Sequence, residues 1–403
     1  MLTIELIETI ARLNRMRIPE PMTHAKGAGA HGVFIPYMSM KEYTKACFLQ
    51  DSNIETPIFV RFSRMMGRAG SADTIRDVRG FFVKFHTREG DYDLIGSHIP
   101  IFYIRDPQKY PNLISALSPC PQTNIRDPER LWRFVAENPE SMHMITWLYS
   151  DLGTIKSYRT MEGHSVHTYV WQNVKKECFW VRYHWKPLLG TKEISRQEAE
   201  FLAGFDPDVA SRDLSDSLRE GKKIYYELCV QIIPTIQETE NELSILDPVC
   251  IWPESLVPLV RVGKMIIFRG VNNYHEEVEK AAFSPGNLIP GIALSPEPLL
   301  LATVFACMDG QRYRLGVDAS NVNIESSIDG IRILDAVREK GEVNNNQLAL
   351  RLQSMSSQEK KCLIDNMVED MLFIDEGIQK TIVGYLKDVD LEVGASLEKW
   401  LSL

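Results

Sequence analysis

Short segments of apolar or alternating apolar and polar residues, a pattern typical of β-strands, recur through the first two thirds of the chain. Turns rich in glycine and aspartate separate several of them. The segments are 57–62, 80–85, 99–104, 166–171, 178–185 and 226–233. Many short strands in hairpin-like order predict an antiparallel barrel or sandwich.

Helical patterns lie between these strands and dominate the C-terminal region. Residues 126–149 predict a helix that starts at Asp127 and Pro128, and residues 299–307 show two turns of apolar spacing. The proline-rich stretch 247–300 has no clear period and predicts a long connection on the barrel surface. Ser356 and Glu359 form a capping box. Two apolar stripes follow, one at Ile364, Met367, Val368, Met371 and Leu372, and one at Ile378, Ile382, Val383 and Leu386.

Composition narrows the class of protein. The 403 residues are 44% hydrophobic, and 45 Lys and Arg against 54 Asp and Glu give a net charge of −9. This charge argues against nucleic acid as a partner, and no segment approaches the roughly 20 apolar residues of a membrane span. Seven scattered cysteines without a Cys-x-x-Cys pair predict neither a disulfide framework nor a zinc site. We expect a cytoplasmic protein whose N-terminal helix packs on another surface.

Several motifs occur in one order along the chain and resemble the haem catalases. They are THAKGAGA at 23–30, RFS at 61–63, GSADT at 70–74, DVRGFFVKF at 77–85, DLIG at 93–96, PIFYIRDP at 100–107 and FACMDGQRYRLG at 305–316. The likeness covers residues 17–316, and 357–394 resembles the family's C-terminal helices. It implies an α+β fold with an eight-stranded antiparallel β-barrel, a wrapping arm and C-terminal helices. The implied cofactor is haem b, iron protoporphyrin IX.

The resemblance also implies a division of the chain and an assembly. Residues 1–20 would form an N-terminal helix or arm, 21–238 the haem-binding barrel, 239–345 a wrapping connection with the proximal haem-ligand helix, and 346–403 the C-terminal helices. We expect a homo-oligomer, since family members interlock through N-terminal arms. The arm here is short, which leaves both a dimer and a tetramer open.

The residues expected on the proximal side of the haem depart from the family pattern. Family members have an arginine and, four residues later, the iron-binding tyrosine, where this chain has Thr303 and Cys307. A thiol has an ordinary pKa of about 8.5 against about 10 for a phenol, and iron deprotonates it without a neighbouring cation. We therefore predict Cys307 as the metal ligand. The alternatives are an inert buried Cys307 in a site without haem, or Tyr313 as ligand, displaced by about one and a half helical turns.

On the distal side, His24 matches the family's catalytic histidine, which moves a proton between the two peroxide oxygens. Ser97 stands where the family has an asparagine that donates to the bound peroxide, so we expect weaker polarisation and a roomier pocket. His98 is either a second distal base or part of the barrel wall. Thr23 replaces the usual valine and resembles the catalase-related allene oxide synthases, which dehydrate fatty-acid hydroperoxides. Thr23 is either a residue that hydrogen-bonds His24 or the peroxide, or a wall residue.

Other family positions predict how the haem is held. Arg61 and Arg314 match two arginines that bind the haem propionates, a task suited to the guanidinium fork. The third such arginine is replaced by Pro21. Phe102 and Tyr110 correspond to aromatic residues that line the pocket, and His167 resembles a strand residue near the haem rim.

Three functions compete on this evidence. The first is a haem-thiolate oxidoreductase, peroxidase-like or peroxygenase-like, that uses hydrogen peroxide or an organic hydroperoxide to oxidise or rearrange a small organic substrate in specialised metabolism. The second is a hydroperoxide isomerase or dehydratase of the allene oxide synthase type. The third is a haem sensor or carrier without turnover. Weak residual catalase activity is compatible with the first.

Overall fold

A computed structural model describes residues 3–15, 17–235, 243–316 and 345–403. The boundary expected at residues 238 and 239, and the part of the wrapping connection at 317–344, lie outside the described residues. The strands are β1 Gly27–Pro36, β2 Thr56–Arg64, β3 Arg79–Thr87, β4 Gly90–Ser97, β5 Gly163–His164, β6 Tyr169–Gln172, β7 Cys178–Pro187, β8 Ile224–Pro234, β9 Val260–Gly270 and β10 Ile292–Leu294.

The helices flank and follow the strands. They are α1 Ile4–Arg15, α2 Tyr110–Leu117, α3 Pro128–Glu137, α4 Met142–Leu148, α5 Arg196–Phe205, α6 Val209–Arg219, α7 Pro298–Leu315, α8 Asn345–Ser354, α9 Ser357–Met371, α10 Glu376–Val389 and α11 Leu391–Leu401. A single π-helical turn, His275–Glu279, lies in the chain that wraps the barrel. Within the described residues, no helix is both long and apolar enough to cross a membrane.

Eight strands close into an antiparallel barrel, as predicted. The order around the ring is β7, β5, β4, β3, β2, β1, β9 and β8, and pairing of β7 with β8 closes it. Strands β6 and β10 extend the sheet beside β7. Alternation along each strand sends large apolar side chains into the barrel, where Phe62, Phe81 and Trp185 belong to one buried cluster. The other face of each strand looks outward.

The outward face of β1 to β4 carries the functional motifs. Residues paired across neighbouring strands project from the same face of a sheet. Gly29 pairs with Arg61, Arg61 with Phe82, and Phe82 with Ile95. Phe59, Phe82, Val278 and Phe283 form a small apolar cluster on this face, which the wrapping chain therefore covers.

Four local predictions from the pattern are wrong, and a fifth covers only part of its element. Residues 99–104 form no strand, and only Tyr169 onward of the 166–171 segment does. The connection predicted at 247–300 contains β9, an 11-residue barrel strand. The helix predicted at 126–149 is two helices, α3 and α4, because Pro139 interrupts the helical hydrogen bonds after Asn138. The apolar turns at 299–307 belong to an 18-residue helix, α7.

The C-terminal helices are confirmed, including their start. Ser356 Oγ accepts from the Glu359 amide, and the Glu359 carboxylate accepts from the Ser356 amide. Residues of both predicted stripes are buried in a second apolar cluster shared with α3 and α4, among them Met367, Ile382 and Leu386. Helix α1, by contrast, keeps its apolar residues exposed, with Ile4 81% and Leu13 60% accessible. Packing of this helix on another surface stays a prediction.

Candidate functional site

His24 lies over the outward face of the barrel, at a position fixed by backbone and side-chain contacts. Its amide donates to the Met65 carbonyl at 2.8 Å, and its Nδ1 is 2.9 Å from Ser63 Oγ. The imidazole stands edge-on to Phe82 with ring centroids 4.8 Å apart. Burial, followed by the charge of Arg61, lowers the pKa of His24 to about 3. The imidazole is therefore neutral at neutral pH and available as a base.

Gly80 makes room for this imidazole. A Cβ atom at Gly80 would lie 2.4 Å from Ser63 Oγ and 2.8 Å from His24 Nδ1, closer than non-bonded atoms approach. Ser97 pairs with Gly80 across β3 and β4 and so projects from the same face. We call the space bounded by His24, Ser63, Gly80, Phe82 and Ser97 the His24 pocket.

Gly80→Ala therefore gives a specific prediction. The new methyl group should push the imidazole from its place, and a displacement of about 1 Å can lower a rate about 100-fold. We expect peroxide turnover to fall by about that factor while haem content is retained. Gly70→Ala is the matched control, since a Cβ at Gly70 meets nothing within 4 Å. Equal turnover in the two variants would show that the His24 position is not critical.

Ser97 and His98 occupy different environments. The Ser97 hydroxyl donates to the Ile99 carbonyl at 2.5 Å, so it is already engaged at the edge of the His24 pocket. His98 Nδ1 accepts from the Arg79 amide at 2.9 Å, and its Nε2 contacts the Leu152 carbonyl at 2.9 Å. Both ring nitrogens of His98 are used by the backbone. Of the two alternatives for this residue, the barrel wall is therefore the one the structure shows.

Two buried guanidinium groups converge beside the segment that leads to His24. Arg61 donates to the carbonyls of His24, at 2.8 Å, and Val278, at 3.3 Å. Arg314 donates to the carbonyls of Pro19, at 3.2 Å, and of Glu279. Burial lowers the pKa of both arginines, and the charge of Arg314 lowers that of Arg61 further. The two side chains are 6% and 8% exposed.

Among the described residues, Glu279 carries the carboxylate whose charge acts on both of these cations, but it forms a direct ion pair with neither. No carboxylate among the described residues lies within ion-pair distance of Arg61 or Arg314. Buried charges without a direct ion pair are costly, so their arrangement fits a ligand that carries carboxylates of its own. Pro21 lies in the same arm and cannot contribute a third cation. The site therefore fits the two propionates of a haem.

Helix α7 is fixed at both ends. At its start, the wholly buried Glu297 accepts from the Thr168 amide at 3.0 Å and contacts His167 Nδ1 at 2.5 Å. The Ser165 to His167 turn that presents this histidine contains Val166 at a φ of 62°, an unusual value for a β-branched residue. At its end, Arg314 ties the helix to the N-terminal arm. His167 therefore anchors the helix that carries Cys307.

Cys307 lies in the middle of α7, one turn after Thr303. The Thr303 hydroxyl donates to the Leu299 carbonyl at 2.8 Å, within its own helix. Burial, with a smaller contribution from Asp93, raises the pKa of the Cys307 thiol to about 12. A free thiol here is protonated at neutral pH, and a bound metal ion is the agent that would make it a thiolate. Tyr313, the alternative ligand, is 74% exposed.

Tyr110 connects the two sides of the site. Burial and the nearby Cys307 sulfur raise the pKa of its phenol, and a hydrogen bond with Thr23 opposes that shift. Tyr110 therefore lies close to Cys307 and also to Thr23, the residue that precedes His24. All four residues are half-buried, the burial expected of side chains that line a cleft. Phe102, like Tyr110, packs against the second apolar cluster, and its ring centroid is 5.7 Å from that of Tyr103.

Three residues of this site were not singled out from the sequence. Ser63 contacts His24, Gly80 makes room for it, and Glu297 holds the start of α7. Ser63 and Gly80 lie inside the RFS and DVRGFFVKF motifs, which provided a signal. The sequence around Glu297 provided no such signal, because a carboxylate in a proline-rich stretch is ordinarily a surface residue.

Comparison with known proteins places this geometry in a family. The catalase family model matches residues 1–357. Catalase-2 of Bacillus subtilis is 46% identical over 313 residues, which are 77% of this chain and 46% of that protein. A catalase of Methanosarcina barkeri is 43% identical over 345 residues, 83% of this chain and 68% of that protein. The chain thus spans about half the length of the first relative and two thirds of the second.

Solved structures agree over a larger share of each chain. A bacterial catalase structure superposes with a TM-score of 0.93 at 30% identity and covers 99% of this chain and 90% of its own. Catalase A of Saccharomyces cerevisiae gives a TM-score of 0.91 at 29% identity, with 100% and 94% covered. The chain therefore belongs to the catalase family, whose members bind haem b.

Proposed function

We propose that this protein is a haem oxidoreductase that consumes hydrogen peroxide or an organic hydroperoxide, and that Cys307 is the residue that would bind the iron. The position of Tyr110, close to Cys307 and hydrogen-bonded to Thr23, the residue before His24, supports the proposal. The relatives named as catalases make hydrogen peroxide the first oxidant to test. They favour catalase itself, whereas Cys307, Thr303 and Ser97 favour oxidation or rearrangement of a small organic substrate.

His24 carries the proton transfer in this proposal. A neutral imidazole with a free ring nitrogen takes a proton from one oxygen of the peroxide and gives it to the other oxygen, which departs as water or as an alcohol. Ser63 holds Nδ1, which directs Nε2 away from the barrel. Phe82 packs against the ring and restricts its rotation.

Cys307 sets the reactivity of the cofactor. A haem with a thiolate ligand supplies electron density that favours cleavage of the O–O bond. The protein provides the sulfur on a helix anchored by Glu297 and by Arg314. Arg61 and Arg314 would hold the propionates, and Tyr110 and Phe102 would line the pocket. Thr303 leaves no cation one turn before the sulfur, so the iron charge alone would stabilise the thiolate.

A second candidate function rests on Thr23. Its hydroxyl is hydrogen-bonded to the Tyr110 phenol, so two neighbouring O–H groups are available to hydrogen-bond a hydroperoxide. Such a pair suits an isomerase or dehydratase of organic hydroperoxides that needs no external oxidant.

Turnover assays separate these functions. Haem-loaded protein is incubated with hydrogen peroxide, with and without phenolic and alkene co-substrates, and with fatty-acid hydroperoxides alone. We expect co-substrate oxidation to exceed dioxygen release from hydrogen peroxide. Conversion of a fatty-acid hydroperoxide without co-substrate would support the second function. Dioxygen release alone would identify an ordinary catalase. The absence of turnover in every assay would contradict both proposals.

A further inference from the structure

A cluster of polar side chains lies next to Ser97 on the outward face of the barrel. Ser97 pairs with His164, and His164 pairs with His184, so the three side chains project from one face in a row. The two imidazoles approach with Nδ1 atoms 2.9 Å apart. His164 Nε2 lies 3.3 Å from the Glu162 carboxylate. No residue of this cluster belongs to the site proposed above except Ser97.

Strand β5 is the shortest strand of the barrel. It has two residues, and Ser97 with His164 is the one residue pair that joins it to β4. The backbones meet closely there, since a Cβ at Gly96 would lie 2.3 Å from the His164 carbonyl. The position of Ser97 at the His24 pocket therefore depends on how firmly His164 is held.

The hydrogen bonds around the pair determine where its protons lie. Both N–H groups of the Gln231 amide are used, because Nε2 donates to the Trp252 carbonyl at 2.9 Å and to the Val257 carbonyl at 2.7 Å. Its Oε1 therefore accepts from His184 Nε2 at 3.0 Å. His184 Nδ1 is then the acceptor, and His164 must donate from its own Nδ1.

This arrangement leaves His164 Nε2 facing the Glu162 carboxylate. Two acceptors repel at this distance, whereas a proton between them makes a charge-assisted hydrogen bond. Glu162 also accepts from Lys186 at 2.8 Å and is 27% exposed at its side chain, so it can exchange protons with solvent. Among the described residues no three His, Cys, Asp or Glu side chains are arranged to hold a metal ion. A proton is therefore the cation that this cluster suits.

We propose that His164 is a positioning residue for Ser97, and that a proton shared between His164 and Glu162 determines whether Ser97 is held at the His24 pocket. The role in the pocket rests on the function proposed above. With the proton, His164 bonds both Glu162 and His184 and fixes the β4 to β5 bridge. Without it, the Nε2 bond is lost and the bridge loosens.

The direction of the pH dependence follows from the surroundings. Burial lowers the pKa of His164, and Glu162 opposes that shift. Burial, then the charge of His164, lowers the pKa of His184 well below its ordinary value, so the pair takes up one proton and His164 holds it. The charged and titratable groups that face the pair are Glu162, Lys186, Glu254, Arg182 and His98. Removal of Glu162 should therefore shift proton uptake by His164 to lower pH.

The C–O stretching frequency of the carbon-monoxide complex of the ferrous protein is the readout, because it senses polar groups near the bound ligand. We expect two C–O bands whose ratio titrates with pH in the unaltered protein. Glu162→Gln should move the midpoint to lower pH, and His164→Gln should leave one band at every pH. Asp91→Asn is the matched control, since Asp91 bonds the exposed His86 at 2.8 Å on another part of the surface.

A second measurement distinguishes a specific effect on His164 from a loss of folding in the variant. The histidine Cε1 proton signals of the haem-free protein are titrated, and Glu162→Gln should shift the His164 titration to lower pH while the His86 signal stays. An unchanged C–O band ratio in Glu162→Gln, together with a shifted His164 titration, would overturn the positioning role. A single pH-independent band in the unaltered protein would overturn it as well. The Soret band of the same samples reports the axial ligand separately, so failure of the Cys307 assignment is recognised independently.

Discussion

Replacement of Cys307 by alanine is expected to abolish the thiolate spectrum of the haem-loaded protein. A haem with a thiolate ligand shows a red-shifted Soret band in its ferrous carbon-monoxide complex. The variant should lose this band, because Cys307 is the one cysteine that the structure places beside Tyr110 in the site, among the residues it describes. Absorption spectra of the reduced protein under carbon monoxide provide the measurement.

Two variants make the result specific to this sulfur. Cys362→Ala removes a cysteine of another helix, α9, and should leave the spectrum unchanged. Cys307→Tyr combined with Thr303→Arg restores the residues typical of the family and should give a tyrosinate spectrum. A red-shifted Soret band that survives in Cys307→Ala would show that another group binds the iron.

Replacement of His24 by alanine is expected to lower peroxide turnover by about 100-fold to 10,000-fold, the usual contribution of a positioned acid and base. The pKa of His24, about 3, keeps the imidazole neutral above that pH. The unaltered protein should therefore show no loss of activity near pH 6.5, where an ordinary histidine takes up a proton. Rates of peroxide consumption between pH 4 and 8 provide the measurement.

His86→Ala is the matched control for this histidine. His86 is 46% exposed at its side chain and bonds Asp91 on the surface, so its removal should leave the rate unchanged. Turnover in His24→Ala within a factor of about two of the control would remove His24 from the mechanism.

The strands that could be predicted are those whose alternation reflects one buried face. Residues 80–85 are such a strand, since Phe81, Val83 and Phe85 point into the barrel. Residues 99–104 are equally apolar, but Ile99, Ile101 and Ile104 are buried against helices rather than within the sheet. Apolar content alone does not distinguish these two kinds of burial.

Strand β9 could not be recognised from its own residues. Lys264 and Arg261 alternate with buried Val262 and Met265, but Pro253 and Pro258 just before the strand obscure the pattern. Its eleven residues become a strand because β1 and β8 provide hydrogen-bonding partners on either side. Pairing between residues so far apart in sequence is not visible in a local window.

Some features of the candidate site could be predicted from the sequence and others could not. His24, Arg61, Arg314 and Cys307 could be placed because they lie in contiguous motifs. The engagement of the Ser97 hydroxyl with Ile99, and the use of both His98 nitrogens by the backbone, depend on contacts made after the barrel closes. The same holds for the His164 and His184 pair, which strand register brings together.

X-ray absorption at the iron edge of the haem-loaded protein tests the central claim most directly. Its fine structure distinguishes a sulfur from an oxygen or nitrogen in the axial position. With Cys307 as ligand, the ferric protein should show one sulfur bonded to iron, and Cys307→Ser should show none. A first shell of nitrogen and oxygen alone in the unaltered protein would contradict the account.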